Sequence, residues 1–141
     1  MLFRSLQQIT ELIHALDGTK VRVLAGDDNI ALAAIAVGAA GLVSVASNEI
    51  PAEMQQVIAA ALRNDWTAAR NLQRRYYPLL LANFWETSPG PVKYILARMG
   101  RLAPVWRLPM VPPSAPVAAR LDALIASLQL TPLRNAEPAA Q

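Results

Sequence analysis

Apolar positions along this chain follow two kinds of pattern, and the contrast predicts where helices and strands lie. Near the N-terminus Leu6, Ile9, Leu12, Ile13 and Leu16 recur at three- and four-residue spacing, which predicts a helix with one buried stripe. Ser5 stands where a side chain can cap that helix, and Gly18 where the chain can leave it. The pattern changes at Val21. Val21, Val23 and Leu24 make a near-continuous apolar run that stops at Gly26, Asp27 and Asp28. Leu42, Val43 and Val45, with Ser44 among them, make a second run between Gly41 and Asn48. Such runs suit strands covered on both faces, as in parallel sheets. Between them Ile30, Leu32, Ile35 and Val37 sit among alanines, with Asp28 or Asn29 placed to cap a short helix and Gly38 to end it. A strand at Val21–Ala25, a helix and a strand at Leu42–Ala46 form a βαβ unit, for which a right-handed crossover is expected.

Helical spacing resumes at Pro51. Met54, Val57, Ile58, Ala61 and Leu62 mark a buried face, and Asn64-Asp65 breaks the helix. A longer helix is predicted from Trp66 to about Trp85, with Ala69, Leu72, Tyr76, Leu79, Leu80 and Asn83 near its inner face. Pro78 removes a backbone donor inside it and should bend it. Ser88-Pro89-Gly90-Pro91 reads as a rigid turn into a helix over Val92–Met99. Arg101–Ser114 is proline-rich and irregular, with Leu102, Val105, Trp106, Leu108 and Met110 expected to pack. Pro116, Leu121, Leu124, Ile125 and Leu128 define a last helix, and residues 131–141 read as a frayed tail.

Composition narrows the function classes. Of 141 residues, 54% are hydrophobic and 16% charged, and the mean hydropathy is +0.27. That balance exceeds an ordinary soluble domain in apolar content, so surface buried against other chains is expected. Ile30–Ser47 carries no charge, which raises the alternative of a membrane span; its many alanines and the lack of an adjacent Lys or Arg favour the buried βαβ unit. The net charge of +3 comes from basic residues scattered along the chain rather than gathered on one face, against a nucleic-acid partner. Arg74-Arg75 beside Tyr76-Tyr77 does not alter this, since adjacent helical residues point in different directions; a solvated face next to core tyrosines is expected. There is no cysteine, and His14, the single histidine, reads as a surface residue, so neither thiolate chemistry nor a metal site is expected. The first dozen residues hold no sustained apolar run of the signal-peptide kind, and cytoplasm is the default location.

Four segments, in order and at matching spacing, resemble one family. Leu24–Asp28 (LAGDD), Gly38–Asn48 (GAAGLVSVASN), Phe84–Lys93 (FWETSPGPVK) and Arg107–Ser114 (RLPMVPPS) are similar to the C-terminal half of the dihydrodipicolinate synthases, pyruvate-dependent class I aldolases that include N-acetylneuraminate lyase. The resemblance covers roughly residues 1–130. It implies an α/β fold: the last two units of a (β/α)8 barrel in residues 1–50, the last barrel helix and a C-terminal helical region in residues 51–130, and a disordered tail. Ser88 and Gly90 depart from the family, which has Asn and an aliphatic residue there.

The same resemblance implies a lyase of lysine biosynthesis. In it a lysine amine forms a Schiff base with pyruvate, and the enamine attacks aspartate semialdehyde. No cofactor is implied. The Schiff-base lysine, the tyrosine and threonine relay and the carboxylate-binding arginine belong to the half of the family's sequence that this chain does not match, so no catalytic residue is assigned. Lys93 matches a proline-lysine motif on an outer helix and carries a structural role. Carried over as substrate-binding residues are Gly26, where a missing side chain permits close approach, and Val43, whose backbone carbonyl faces the pyruvate-derived group. Asp27 and Asp28 follow at the site mouth, either capping the next helix or accepting hydrogen bonds from substrate. The partners implied are pyruvate, aspartate semialdehyde, and either further copies of the chain or a missing N-terminal half. A noncatalytic module that binds a full-length relative, and half of a split aldolase, are the alternatives.

Overall fold

The computed structural model describes residues 5–130, which are mostly helical and form two compact units, dividing between Leu81 and Ala82. The expected tail, residues 131–141, lies outside the described residues. In the first unit α1 spans Leu6–Ala15, α2 Ala31–Ala36 and α3 Pro51–Leu62; α4 spans Trp66–Ala82 and carries the chain out of it. The second unit holds α5, Gly90–Arg98, and α6, Ala115–Leu128.

The helices follow their sequence signals closely. Ser5 caps α1 by accepting from the Gln8 amide at 3.4 Å. Gly38 follows α2 at φ +111°, a backbone conformation that favours glycine, and a Cβ there would also meet Ile13 Cγ2 tightly, at 3.3 Å. Asn64 takes the left-handed conformation after α3, and Asp65 accepts from the Ala68 amide at 3.0 Å to start α4. Pro78 lies inside α4, and the helix ends at Ala82 rather than near Trp85. Helix α5 starts at Gly90, two residues before the expected Val92.

Two clusters hold the first unit together. One joins Leu32 and Ile35 of α2 to Val57, Ala60 and Ala61 of α3 and Ala69 of α4. The other places Ile9 of α1 against Val23, Ala25, Ala34 and Ala39. Alanine supplies much of both, which lets the helices approach closely. Leu62, expected inside, is 51% exposed, because α3 turns Ala60 inward beside the expected Ala61. Tyr76 is buried while Tyr77 is exposed, so one tyrosine of the pair, not both, belongs to the core.

The two expected strands are the main correction. Among the described residues the chain forms a single parallel bridge, Ala25 to Leu42, and no longer strand. Ala25 donates to the Gly41 carbonyl and accepts from the Val43 amide, each at 2.9 Å. A regular ladder would next join the Gly41 amide to the Val23 carbonyl. The donor is instead Ala40, at 2.8 Å, and the register slips by one residue. On the other side Ala46–Asn48 winds into a 3-10 turn where the second strand was expected to end. Two extended segments paired only with each other have no second neighbour to keep them regular. The parallel orientation and the intervening helix are as expected. Ile30–Ser47 is therefore broken into several elements, and no described helix is long and apolar enough to cross a membrane.

In the second unit α5 packs on α6; Val92 and Ile95 of α5, Met99 just after it, and Leu121 and Leu124 of α6 are all buried. Tyr94 donates to Asp122 Oδ2 at 3.1 Å, and Arg98 Nε lies 2.8 Å from Asp122 Oδ1. Burial, then the bond to the Asp122 carboxylate, pushes the Tyr94 phenol above its ordinary value. Glu86 accepts from both the hydroxyl and the amide of Ser114, at 2.6 and 2.9 Å, and so fixes the start of α6. The Arg120 guanidinium lies 3.9 Å from the centre of the Trp85 ring. The proline-rich segment packs less than expected: Leu102, Trp106 and Met110 are half-buried, but Val105 and Leu108 are 60% and 89% exposed.

Two measurements test this packing. Ile95→Ala or Leu121→Ala should each lower the unfolding free energy by about 2–5 kcal/mol in urea titration, whereas Leu108→Ala should stay within about 0.5 kcal/mol of wild type. Separately, the Ser114 hydroxyl and then its amide hold the Glu86 carboxyl below the ordinary 4.5. A lowered carboxyl stabilises the fold fully above its ordinary value and loses that contribution as pH falls through the lower folded value. NMR titration of Glu86 should give a midpoint below 4.5, and Ser114→Ala should move it part of the way back.

Candidate functional site

The four residues named from sequence lie at one end of the paired segments. Gly26 and Asp27 directly follow bridged Ala25, and Val43 directly follows bridged Leu42. The bond from the Val43 amide to the Ala25 carbonyl therefore ties the two tips together at 2.9 Å. Val43 is 62% exposed and Gly26 half-buried, so this end is open to solvent. No bond to the Val43 carbonyl is formed among the described residues. That leaves a free backbone acceptor at the tip.

The two aspartates differ: Asp27 takes the capping role expected of it, whereas Asp28 makes a contact that sequence did not indicate. Asp27 accepts from the Asn29 amide at 3.3 Å and so caps the 3-10 turn Asp28–Ile30 that leads into α2. Asp28 caps nothing on its own element. Its side chain is 2% exposed, and Oδ2 reaches across to accept from the amides of Val45 at 3.0 Å and Ala46 at 3.1 Å. Asp28 Oδ1 is buried and has no partner among the described residues. One carboxylate oxygen thus spans 17 and 18 residues of sequence to lock the loop after the second segment onto the loop after the first. Backbone amides can hold a buried carboxylate where bare burial could not, because each supplies a charge-assisted bond.

Sequence reasoning overlooked Glu49, which is 1% exposed beside this site. The signal was available: Glu49 is the first charge after the long neutral run and precedes the Ile50-Pro51 helix start. Beside the Val43 tip, a concave surface of about 410 Å³ runs between Leu42, Ser44 and Ser47 and the Met54, Ile58 and Leu62 positions of α3. The described residues include no group of three or more His, Asp or Glu able to hold a metal ion. Lys93 sits in the other unit, where its ammonium donates to the Val105 carbonyl and lies 5.7 Å from the centre of the Trp106 ring. His14 is exposed on α1.

Asp28→Ala would strand two amides at once. It should lower the unfolding free energy by about 2–4 kcal/mol, read from denaturant midpoints, with a smaller loss for Asp27→Ala, whose amide partner is less deeply placed.

Comparison with known proteins gives this geometry a family. A model of the "Dihydrodipicolinate synthetase family" matches residues 3–128. The chain is 56% identical over 126 residues to the 4-hydroxy-tetrahydrodipicolinate synthase of Acidobacterium capsulatum, covering 89% of this chain and 41% of that one. The synthase of Koribacter versatilis is 49% identical over 114 residues, covering 81% and 37%. Among solved structures, the dihydrodipicolinate synthase of Aquifex aeolicus superposes with a TM-score of 0.89 at 32% identity, covering 96% of this chain and 45% of that one. The chloride-inhibited synthase of Acinetobacter baumannii, solved in complex with pyruvate, gives 0.86 at 31%, covering 92% and 44%. The chain thus spans about two fifths of the length of the curated relatives it matches. With the family model matching nearly all of its length and the paired tips falling where that likeness runs, this chain belongs to the dihydrodipicolinate synthetase family.

Proposed function

We propose that this chain supplies the last two β/α units and the helical extension of a 4-hydroxy-tetrahydrodipicolinate synthase barrel, and that it catalyses nothing alone. Residues 1–50 carry the barrel part, and residues 51–130 the last barrel helix and the extension. The observation that carries the reading is the parallel bridge at Ala25 and Leu42, with Gly26 and Val43 at its open end. Catalytic groups of (β/α)8 barrels gather at the C-terminal strand ends, which is where these two residues stand. Two segments cannot close a barrel, and their outer edges remain unpaired.

The reaction joins pyruvate to aspartate semialdehyde. A lysine amine condenses with the pyruvate ketone and releases water; the enamine that follows attacks the aldehyde carbon. The lysines present do not suit that task. Lys20 is exposed ahead of the first segment, away from its tip, and Lys93 is engaged by Val105 and Trp106. Schiff-base chemistry therefore calls for a lysine from elsewhere in the assembled barrel. In this reading Gly26 lets substrate approach the backbone, and the Val43 carbonyl faces the pyruvate-derived group. Asp27 follows Gly26 at the mouth with Asp28 buried behind it, and the assembly is a cytoplasmic homo-oligomer.

Exposed Val21, Leu24 and Val43 also support a second reading, a noncatalytic module that binds a full-length relative. One experiment separates the two. The part of the Acidobacterium capsulatum synthase that precedes its match to this chain is co-expressed with the chain, and pyruvate adducts are trapped with borohydride and weighed. The expected result is co-purification and an adduct on the supplied lysine in the complex, with none on this chain alone. An adduct on the isolated chain, or failure of the two parts to associate, overturns the proposal. Association with a full-length synthase and no adduct or turnover in the reconstituted complex favours the binding module.

A further inference from the structure

The Val43 carbonyl is held from both sides by one neighbouring segment. Ahead of it, the Val43 amide donates to Ala25; beyond it, the Val45 and Ala46 amides donate to Asp28 Oδ2. Between these anchors lies the Val43–Ser44 peptide, whose carbonyl has no partner among the described residues. A peptide fixed at both flanks keeps its plane, and its free carbonyl points in one direction without a bond of its own. The Val43 tie comes from the backbone and is available to any sequence. The second tie depends on one side chain.

We propose that Asp28 is a positioning residue that aims the unpaired Val43 carbonyl at the reacting group by clamping Val45 and Ala46. This rests on the reading of the chain as a barrel piece given above. Asp28 suits the task because its short side chain is buried and reaches the second loop from a fixed turn. Its two accepted bonds converge on a single oxygen, so Val45 and Ala46 cannot shift independently. The carboxylate lies behind the tip rather than in its open mouth. It therefore acts through the backbone of the second loop and does not touch substrate.

The test has two arms, so that failure of the barrel reading and failure of this proposal are distinguishable. In the isolated full-length chain, amide hydrogen exchange is followed for Val43, Val45 and Ala46. Asp28→Ala should speed exchange at Val45 and Ala46 by about tenfold or more while Val43, still bonded to Ala25, changes less. Asp28→Asn, which keeps one acceptor oxygen, should retain most of the protection. In the co-expressed complex, Asp28→Ala should lower kcat by up to about 100-fold with little change in the KM for pyruvate, because the carbonyl is misaimed while binding persists. Asp28→Asn should recover much of that kcat.

Wild-type exchange at both amides in Asp28→Ala overturns the proposal. So does a loss confined to KM, which would make Asp28 a direct substrate contact. If Asp28→Ala does not fold, Asp28→Asn decides: loss of kcat with both amides still protected would show that the charge matters and the clamp does not. If the wild-type chain forms no complex, the barrel reading fails, and the exchange arm alone still determines whether Asp28 fixes the Val43 peptide.

Discussion

The first unit depends on a contact only one residue pair wide. Ala25 gives its amide to Gly41 and its carbonyl to Val43, and that exchange sets two distant stretches side by side and parallel. Parallel pairs are slightly weaker per residue than antiparallel ones, and two members alone make a marginal sheet. What sustains this one is the helical cover on a single face. Val23, Ala25 and Leu42 turn toward α1 and α2, where Ile9 and Ala34 close over them. Small side chains matter here. Alanine at positions 25, 34 and 39 lets α1 and α2 lie close to the backbone, so the cluster is tight although few of its members are large.

Asp28 extends this contact beyond the pair. The bridge stops at Leu42, and the chain past Val43 bends into a 3-10 turn whose first amides have no backbone acceptor of their own. A carboxylate from the opposite loop supplies one. A neutral hydroxyl on the same backbone would form weaker bonds. Burying a carboxylate is normally costly, and here two backbone donors at 3.0 and 3.1 Å offset that cost. The loop geometry at the tip is thus a consequence of charge placed behind it.

Legibility in the sequence tracked how local each interaction is. Ser5, Gly38 and Asn64-Asp65 act within a turn of where they stand, and each marks the helix boundary that its residue type indicates. The parallel pairing was legible too, because two apolar runs around an alanine-rich helix leave few other arrangements. The extent of the strands was not, since strand length is set by neighbours and not by the run itself. Asp28 illustrates the limit for the site. Its position after Gly26 identified it, but its partners lie 17 and 18 residues away and leave no mark in the local pattern. Leu62, Val105 and Leu108 are exposed for a related reason: apolar type favours burial, but only packing decides it.

The exposed apolar residues explain the composition. On the first segment Val23 and Ala25 face the helices, so Leu24 between them faces away; on the second, Leu42 faces the helices and Val43 faces away. Leu24 and Val43, 46% and 62% exposed, therefore share the face opposite the helical cover. A half-solvated sheet would carry polar residues there, as antiparallel sheets commonly do. Apolar residues on both faces are the mark of strands meant to be enclosed, and enclosure is what a barrel interior provides. The backbone agrees with the side chains: Leu24 and Leu42 carry amides and carbonyls with no partner among the described residues, directed away from the pair they flank. Side-chain chemistry and unpaired backbone thus agree: among the described residues this pair leaves both an apolar face and its outer edges uncovered.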